Sequence, residues 1–304
     1  MHSFTFEHFS LLLRYGSLLP ELPLLSLDYG KSPYNHSKVA LIIESRPIGV
    51  LAPLILHMIS VVPPDWRFRF MGSNESLFLV NNSAAIRRQV GVGKLDLTFI
   101  PSNMSVSGGE DISRFLTNRW IYETVLQPAE WLLIFQTDSK FFSATFRGYL
   151  LILMLPGIFC ANSEDSLDNW LKYDWVGAPW AVDRRFGGNG GLSMRRVSSI
   201  MTVLRHQQRL NNSEPEDVWL TERLGHLPDS RVANGSESLD FSAESIWVDR
   251  PMGYHTGGSG AVLASGIWGD PGKRQQIWEY CPEVKITLAM DMTSFMPGLC
   301  DARW

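Results

Sequence analysis

The sequence predicts an α/β fold with a mostly parallel sheet flanked by helices. Three observations carry this prediction. A continuous apolar run at residues 38–44 indicates a buried first strand, and a segment of helical spacing at residues 49–62 follows it. A second apolar run at residues 131–135 ends abruptly in the polar residues Gln-Thr-Asp-Ser. The alternation of strands and helices along the first half is typical of a doubly wound parallel sheet.

The elements of the first half each have a local signal. The helix at 49–62 ends at two consecutive prolines, which cannot continue a helix. Residues 66–70 alternate apolar and polar side chains, as a half-buried strand does, and end near Gly72. A helix is predicted at residues 113–125, before the strand that ends at Asp138.

The second half is more irregular. A short capped helix is predicted at residues 163–171, and a strand running into a turn at residues 173–180. A glycine-rich loop at 187–191 then leads through residues 192–195 into a helix that reaches about residue 210. A further helix starts near Pro215 and ends near Gly225.

Composition excludes several classes of protein. The chain has 304 residues, and 45% of them are hydrophobic, which is enough for a packed core and excludes wholesale disorder. The net charge of −4 and the lack of a basic stripe argue against nucleic acid as a partner. No transmembrane segment is evident, because charged residues and prolines interrupt the apolar region at 9–27.

Cysteine and asparagine patterns bear on the cellular compartment. The three cysteines match no zinc pattern, and their odd number defines no disulfide framework. Six Asn-x-Ser sequons occur where chance gives roughly two. The excess favours a glycoprotein of the secretory pathway, in the Golgi or the ER lumen, although serine-rich loops could also produce it.

The ends of the predicted strands supply candidate residues for binding a ligand. Ligands of such sheets bind outside the carboxyl ends of the strands. Asp138 can hold a divalent cation, Mn²⁺ or Mg²⁺, which would neutralise a diphosphate leaving group. The candidate donor-binding residues are Glu44, Arg46, Gly72, Thr137, Asp138 and Ser139.

Later segments supply candidates for catalysis and for an acceptor or sugar pocket. Glu216 or Asp217 could act as a general base, and His255 could join Asp138 as a metal ligand. The alternatives are helix-dipole stabilisation for the two carboxylates and an ordinary packed histidine. The glycine-rich loop could let the backbone approach a substrate, or it could be a plain turn. The pocket candidates are Trp180, Gly188, Asn189, Gly190 and Gly191.

Seven blocks of the sequence are informative when taken together. They are residues 135–139, 160–163, 171–180, 187–193, 216–218, 251–255 and 280–283. Together they resemble the DUF5672 family, which is glycosyltransferase-like with a GT-A (Rossmann-like) fold. The resemblance runs from about residue 39 to residue 285. It implies transfer of a sugar from a nucleotide-sugar donor, with Asp138 as a reduced Asp-x-Asp motif and Glu216 or Asp217 as the base.

The chain departs from the family pattern in two places. Residues 140–157 form an apolar insert between two matching blocks, which we interpret as a retained intron or, alternatively, a genuine insertion. Only one carboxylate stands in residues 136–139, so a metal-independent mechanism is an alternative. In that case Arg46 or Arg195 would oppose the diphosphate.

The sequence thus predicts a leader at residues 1–36, a single GT-A-like domain at 37–290 and a tail at 291–304. The predicted function is transfer of a sugar from a nucleotide-diphosphate sugar to a hydroxyl acceptor on a glycan, a protein or a lipid. The alternative is a non-catalytic nucleotide- or carbohydrate-binding protein on the same fold. A hydrolase is weaker still, since Ser139 has no Gly-x-Ser-x-Gly setting.

Overall fold

The computed structural model describes residues 32–137, 157–256 and 264–288, and the backbone of 145–146 and 149–150. The chain divides into two compact units, Met1–Pro33 and Tyr34–Trp304. The first unit lies almost entirely outside the described residues, so the architecture below is that of the second. The predicted leader, domain and tail boundaries stay a prediction.

The described residues form the following strands and helices. The strands are β1 (Lys38–Glu44), β2 (Arg67–Gly72), β3 (Leu95–Phe99), β4 (Trp131–Phe135), β5 (Thr145–Phe146), β6 (Tyr149–Leu150), β7 (Gly157–Phe159), β8 (Trp175–Gly177), β9 (Leu192–Arg196), β10 (Ser242–Ala243) and β11 (Gly253–His255). The helices are α1 (Leu51–Val61), α2 (Asn74–Asn81), α3 (Ala84–Gly91), α4 (Gly109–Leu116), α5 (Val197–His206), α6 (Glu216–Leu224), α7 (Ser265–Trp268) and α8 (Pro271–Tyr280).

Six of these strands form the central sheet, in the order β3-β2-β1-β4-β9-β8. The first four strands run parallel, whereas β9 is antiparallel to β4 and β8 is antiparallel to β9. Glu44 pairs with Gly72 at the carboxyl ends of β1 and β2. The predicted α/β class and mostly parallel sheet are confirmed.

Both faces of the sheet are buried, which explains the continuous apolar runs. On β1, Ala40 and Ile42 belong to one hydrophobic cluster, and Leu41 belongs to the cluster on the opposite face. On β4, Leu133 and Ile134 divide in the same way. Because side chains alternate between faces, a strand covered on both sides reads as uninterrupted hydrophobic sequence.

Two predicted helices differ from the structure. The helix predicted at 113–125 is α4 followed by a separate π-helical turn, Ile121–Val125. The break lies at Thr117, whose hydroxyl donates to the Ser113 carbonyl oxygen, and at Asn118, whose side chain accepts the Trp120 N–H. These local bonds compete with helix continuation.

The segment after the glycine-rich loop is a strand before it becomes a helix. Residues 192–196 form β9, which pairs with β4 on one side and with β8 on the other. Leu192 and Met194 are buried in one cluster, so the segment alternates with the period of a strand. The helix α5 begins only at Val197.

A smaller sheet, in the order β10-β11-β7, includes the predicted family block at 251–255. Next to it, Cys160 and Cys281 form a disulfide across a separation of 121 residues. Of the predicted insert at 140–157, the structure describes only the backbone pairing of β5 with β6, and then Gly157. The rest of the insert lies outside the described residues.

Candidate active site

A buried ion pair lies behind the glycine-rich loop. Arg195 on β9 donates from Nη1 to Glu216 Oε2 at 3.1 Å and from Nη2 to Glu216 Oε1 at 2.9 Å. Its Nη2 also donates to the Gly190 carbonyl oxygen, and its Nε donates to Ser193 Oγ. The guanidinium lies 3.9 Å from the centroid of the Trp175 ring. Arg195 is fully buried and fully engaged, so it is a structural part of the loop and no counter-charge for a diphosphate.

Glu216 shares this burial. Removal from water raises the pKa of the Glu216 carboxyl, and the adjacent Arg195 guanidinium opposes that rise. The Glu216 N–H has no acceptor within the helix at the start of α6 and donates instead to Ser113 Oγ at 3.2 Å. Glu216 therefore ties the first turn of α6 to both β9 and α4.

Asp217 has a different environment. It is half-buried at the N-terminus of α6, and its Oδ2 accepts the Gly190 N–H at 3.0 Å. Its Oδ1 accepts the Val218 N–H at 2.8 Å. Each carboxylate oxygen has a further lone pair, so Asp217 can accept a proton or a hydroxyl hydrogen bond from a ligand.

Glycines are required in the loop because neighbouring side chains approach its backbone closely. Gly187 has a φ of +78°, a backbone conformation that favours glycine. A side chain at Gly190 would meet Glu216 Oε1 at 2.7 Å and Arg195 Nη2 at 2.8 Å. A side chain at Gly191 would collide with the His255 ring. The loop thus brings bare backbone between α6 and β11.

A cavity of about 130 Å³ lies between this loop, α4 and the start of α6. Its lining includes carboxylates, amides, hydroxyls and one guanidinium. The described residues that line it are Gly109, Glu110, Ile112, Ser113, Gln136, Asn189, Gly190, Gly191, Arg209, Ser213, Pro215, Glu216 and Asp217. This set contains both predicted base candidates and three of the five predicted pocket residues.

Gln136 lines this cavity and is largely buried. It directly follows β4, and its backbone N–H donates to the Gly191 carbonyl oxygen at 2.8 Å. Its side chain is 6% exposed, and its Nε2 has no hydrogen-bond partner among the described residues. A buried amide donor without a partner costs free energy, so a ligand that accepts from it gains affinity.

Glu110 and Arg209 form the far wall and were not predicted. Arg209 donates from Nη1 and Nη2 to the two Glu110 oxygens, at 3.0 and 2.6 Å. The hydrogen bonds from the Arg209 guanidinium and from the Asn212 N–H lower the pKa of Glu110 to about 2. The only sequence signal was an acidic pair at the start of α4, which is equally typical of helix-dipole stabilisation.

The predicted donor residues cluster at the ends of β1, β2 and β4. Glu44 accepts hydrogen bonds from Arg46 Nε at 2.8 Å and from Arg46 Nη2 at 2.6 Å. Its Oε2 also accepts from Thr137 Oγ1 at 2.5 Å, which joins the ends of β1 and β4. Gly72 lies beside Glu44 in the register. Asp138 and Ser139, the next two residues, lie outside the described residues.

His255 lies on the other side of the loop from Glu216. Its Nδ1 is 3.1 Å from Glu244 Oε1, and Asn189 Nδ2 lies 3.4 Å from the same oxygen. A carboxylate on one ring nitrogen fixes the orientation of a histidine. Within the described ranges, no group of three or more His, Cys, Asp or Glu side chains is arranged to hold a metal. A metal site there would depend on Asp138.

Two predicted pocket residues are not brought to this cavity. Gly188 packs against β8, where a side chain would collide with the Gly177 backbone, and its carbonyl oxygen accepts from Trp175 Nε1. Trp180 is half-buried, and the Arg184 guanidinium lies 5.6 Å from the centroid of its ring. Trp180 is not among the described residues that line the cavity. Glu244 was missed because no motif surrounds it.

The family comparison covers six of the seven motif blocks and does not reach the block at 280–283. The family model described as "Protein of unknown function (DUF5672)" matches residues 94–255. No curated protein matches the chain significantly. Among solved structures, the mannosyltransferase Ktr4p from S. cerevisiae is similar at 10% identity and a TM-score of 0.36, over 97% of this chain and 95% of that one. The same enzyme in complex with GDP is similar at 9% identity and a TM-score of 0.28, over 68% and 57% of the two chains. Such scores carry no argument about activity, but the family model covers more than half of the sequence, and the chain therefore belongs to the DUF5672 family.

Proposed function

We propose that this protein is a glycosyltransferase that moves a sugar from a nucleotide-diphosphate sugar to a hydroxyl acceptor on a glycan, a protein or a lipid. The observation that carries the proposal is the cavity at the carboxyl end of β4. It is lined by the Gln136 amide, which has no partner among the described residues, and by the half-buried Asp217 carboxylate. Open α/β sheets bind ligands at this edge, and sugar hydroxyls need such donors and acceptors.

Asp217 is the better candidate for the general base. Both oxygens of Glu216 accept from Arg195, so that carboxylate is already engaged. Among the described residues, the two oxygens of Asp217 accept only from backbone N–H groups. In an inverting transfer, Asp217 would take the proton from the acceptor hydroxyl as that oxygen attacks the donor sugar. Glu216 would then position α6 and the loop.

We place the donor nucleotide at the neighbouring strand ends. Glu44, Arg46 and Thr137 form one hydrogen-bonded group there, with Gly72 beside them and Asp138 and Ser139 next in sequence. A divalent cation, Mn²⁺ or Mg²⁺, held by Asp138 and His255 would supply positive charge to a departing diphosphate. Loss of donor turnover on chelation, with recovery on adding Mn²⁺, tests this assignment.

We also propose a location in the secretory pathway. The Cys160–Cys281 disulfide is typical of proteins that mature in an oxidising compartment. Several sequon asparagines are exposed, as N-glycosylation requires. They are Asn35, Asn74, Asn103 and Asn211. Across the described residues, no helix has the length and apolar character of a membrane span.

The test is donor turnover by the full-length chain with a panel of UDP- and GDP-sugars, with and without Mn²⁺. Asp217→Asn should lower transfer or donor hydrolysis by roughly 10²- to 10⁴-fold, the usual loss of a general base. Glu214→Gln is the matched control, since Glu214 is an exposed carboxylate three residues earlier. Turnover by Asp217→Asn at the wild-type rate would refute the assignment of the base.

The second candidate is a non-catalytic nucleotide- or carbohydrate-binding protein on the same fold. The engagement of Glu216 by Arg195 favours it, because that pairing leaves a single available carboxylate at the start of α6. Saturable donor binding without release of nucleotide would identify this function. Metal-dependent release of nucleotide would identify the enzyme.

A further inference from the structure

A second cavity, of about 440 Å³, lies apart from the candidate active site, between β11 and α8. Its volume is in the range of pockets that take small molecules. None of its lining residues lines the first cavity. We call it the aromatic groove. Its described lining residues are Asn162, Trp247, Asp249, Arg250, Tyr254, Gln276, Ile277, Glu279 and Tyr280.

Three of the family blocks that the proposed mechanism leaves largely unused converge on this groove. They are residues 160–163, 251–255 and 280–283, and the Cys160–Cys281 disulfide joins the first to the third. Asn162 Nδ2 donates to the Tyr280 carbonyl oxygen at 2.7 Å. The Tyr280 hydroxyl donates to the Pro251 carbonyl oxygen at 2.9 Å, which ties in the second block. One disulfide and two hydrogen bonds therefore connect the walls of the groove.

Cationic side chains lie beside two aromatic rings of the groove. Lys273 Nζ lies 5.1 Å from the Trp247 ring centroid, and the Arg250 guanidinium lies 5.0 Å from that of Tyr280. Arg250 has a φ of +53°, an uncommon conformation for a residue with a side chain. Such strain is often found at binding sites. Trp247 and Tyr280 are both half-buried, so part of each ring stays accessible.

The polar lining suits hydroxyl groups. Asp249 and Gln276 are exposed, and neither side chain makes a hydrogen bond to another described residue. Glu279 accepts from Gln275 Nε2 at 2.8 Å. Carboxylates and amides pair with adjacent hydroxyls, while aromatic rings contact the apolar face of a sugar. Two carboxylates against one guanidinium in the lining disfavour a strongly anionic ligand.

The groove and the active site lie on opposite faces of one strand. Tyr254 and His255 are successive residues of β11, and successive side chains of a strand point to opposite faces. His255 packs against Gly191 of the active-site loop, whereas Tyr254 lines the groove. A ligand of the groove therefore does not occupy the place of the reacting sugar.

We propose that the aromatic groove is a second carbohydrate site that binds a neutral oligosaccharide. This role rests on the proposed function: the groove holds a part of the acceptor glycan that is remote from the reacting hydroxyl. A substrate bound in this way gains affinity from a portion that takes no part in the chemistry.

The experiment measures binding of neutral oligosaccharides to the full-length chain. The probes are mannotriose, chitotriose and N-acetyllactosamine, with a heparin tetrasaccharide as the anionic comparison, followed by saturation-transfer NMR and tryptophan fluorescence. At least one neutral probe should bind saturably. Trp247→Ala should weaken it by about 10-fold or more, as loss of an aromatic anchor does. Gln276→Ala, an exposed change that spares the core, should weaken it about 3-fold.

Phe99→Ala is the matched control, because Phe99 is an aromatic residue that is 61% exposed and lies on β3. It should bind the probe like the wild type. Failure of every neutral probe to saturate, equal binding by Trp247→Ala, or tighter binding of the heparin tetrasaccharide would each overturn the proposal. Wild-type protein that turns over donor but binds no glycan counts against the groove alone. Glycan binding without donor turnover counts against the proposed enzyme alone.

Discussion

Replacing Arg195 by methionine should destabilise the fold severely. The side chain of Arg195 is fully buried, and the change would leave the Glu216 carboxylate, 5% exposed, without its charged partner. The Gly190 carbonyl oxygen and Ser193 Oγ would each lose a donor as well. Removing one member of a buried ion pair costs about 3–5 kcal/mol.

Urea unfolding of the wild type and the variant measures this loss directly. A loss of about 3–5 kcal/mol should also lower Tm by roughly 6–10 °C for a domain of this size. Arg205→Met is the matched control, because Arg205 is an exposed arginine on α5. That control should change the free energy of unfolding by no more than about 0.5 kcal/mol.

A double variant separates the ion pair from simple packing. Arg195→Met combined with Glu216→Leu removes both charges, so no uncompensated carboxylate remains. It should be more stable than Arg195→Met alone, with a coupling energy of about 1.5 kcal/mol or more. Additive losses in the double variant, or a loss below about 1 kcal/mol in Arg195→Met, would refute the reasoning.

Three further predictions concern stability. Cys160→Ser should cost about 2–5 kcal/mol in urea unfolding, because Cys281 lies 121 residues away and the disulfide closes a long loop; reduced wild type should lose a similar amount, and a wild type that loses nothing on reduction would contradict the reasoning. Glu110, with its pKa lowered from 4.5 to about 2, should stabilise the fold fully above about pH 4.5. That contribution, about 1–2 kcal/mol after solvent screening, is lost as pH falls towards 2, and Glu110→Gln should flatten the slope measured by urea midpoints at pH 6 and pH 3. Gly187→Ala should cost at least about 1 kcal/mol by thermal unfolding, since φ is +78° there, and a neutral result would contradict the strain.

The sequence predicted the sheet well where one physical signal dominated. The strand β1 has the predicted bounds, 38–44, because burial of both faces makes its pattern unambiguous. The helix α6 lies within its predicted limits because Pro215 and Gly225 mark its ends. By contrast, residues 192–195 were predicted only to lead from the glycine-rich loop into a helix, because β9 is short and is followed directly by α5.

The site was harder to predict because its members come from distant parts of the chain. Gln136 and Asp217 were near motifs, but Glu110 and Arg209 meet only after α4 and α5 pack on the same face of the sheet. The disulfide shows the same limit, since three cysteines allow three pairings and only the fold brings Cys160 to Cys281. Long-range pairing leaves no local signal.

Because β9 runs antiparallel to β4, the position of the glycine-rich loop at the active-site edge depends on the register between these two strands. Since β9 runs against β4, its first residue, Leu192, pairs with Phe135, the last residue of β4. A slip of two residues would keep every side chain on its own face, yet it would move the glycine-rich loop by about 6.6 Å from Gln136. The same slip would draw Arg195 away from Glu216. The buried Arg195–Glu216 ion pair thus favours the native register of β9. Breaking the pair would cost free energy in a misaligned sheet that still buries its apolar side chains.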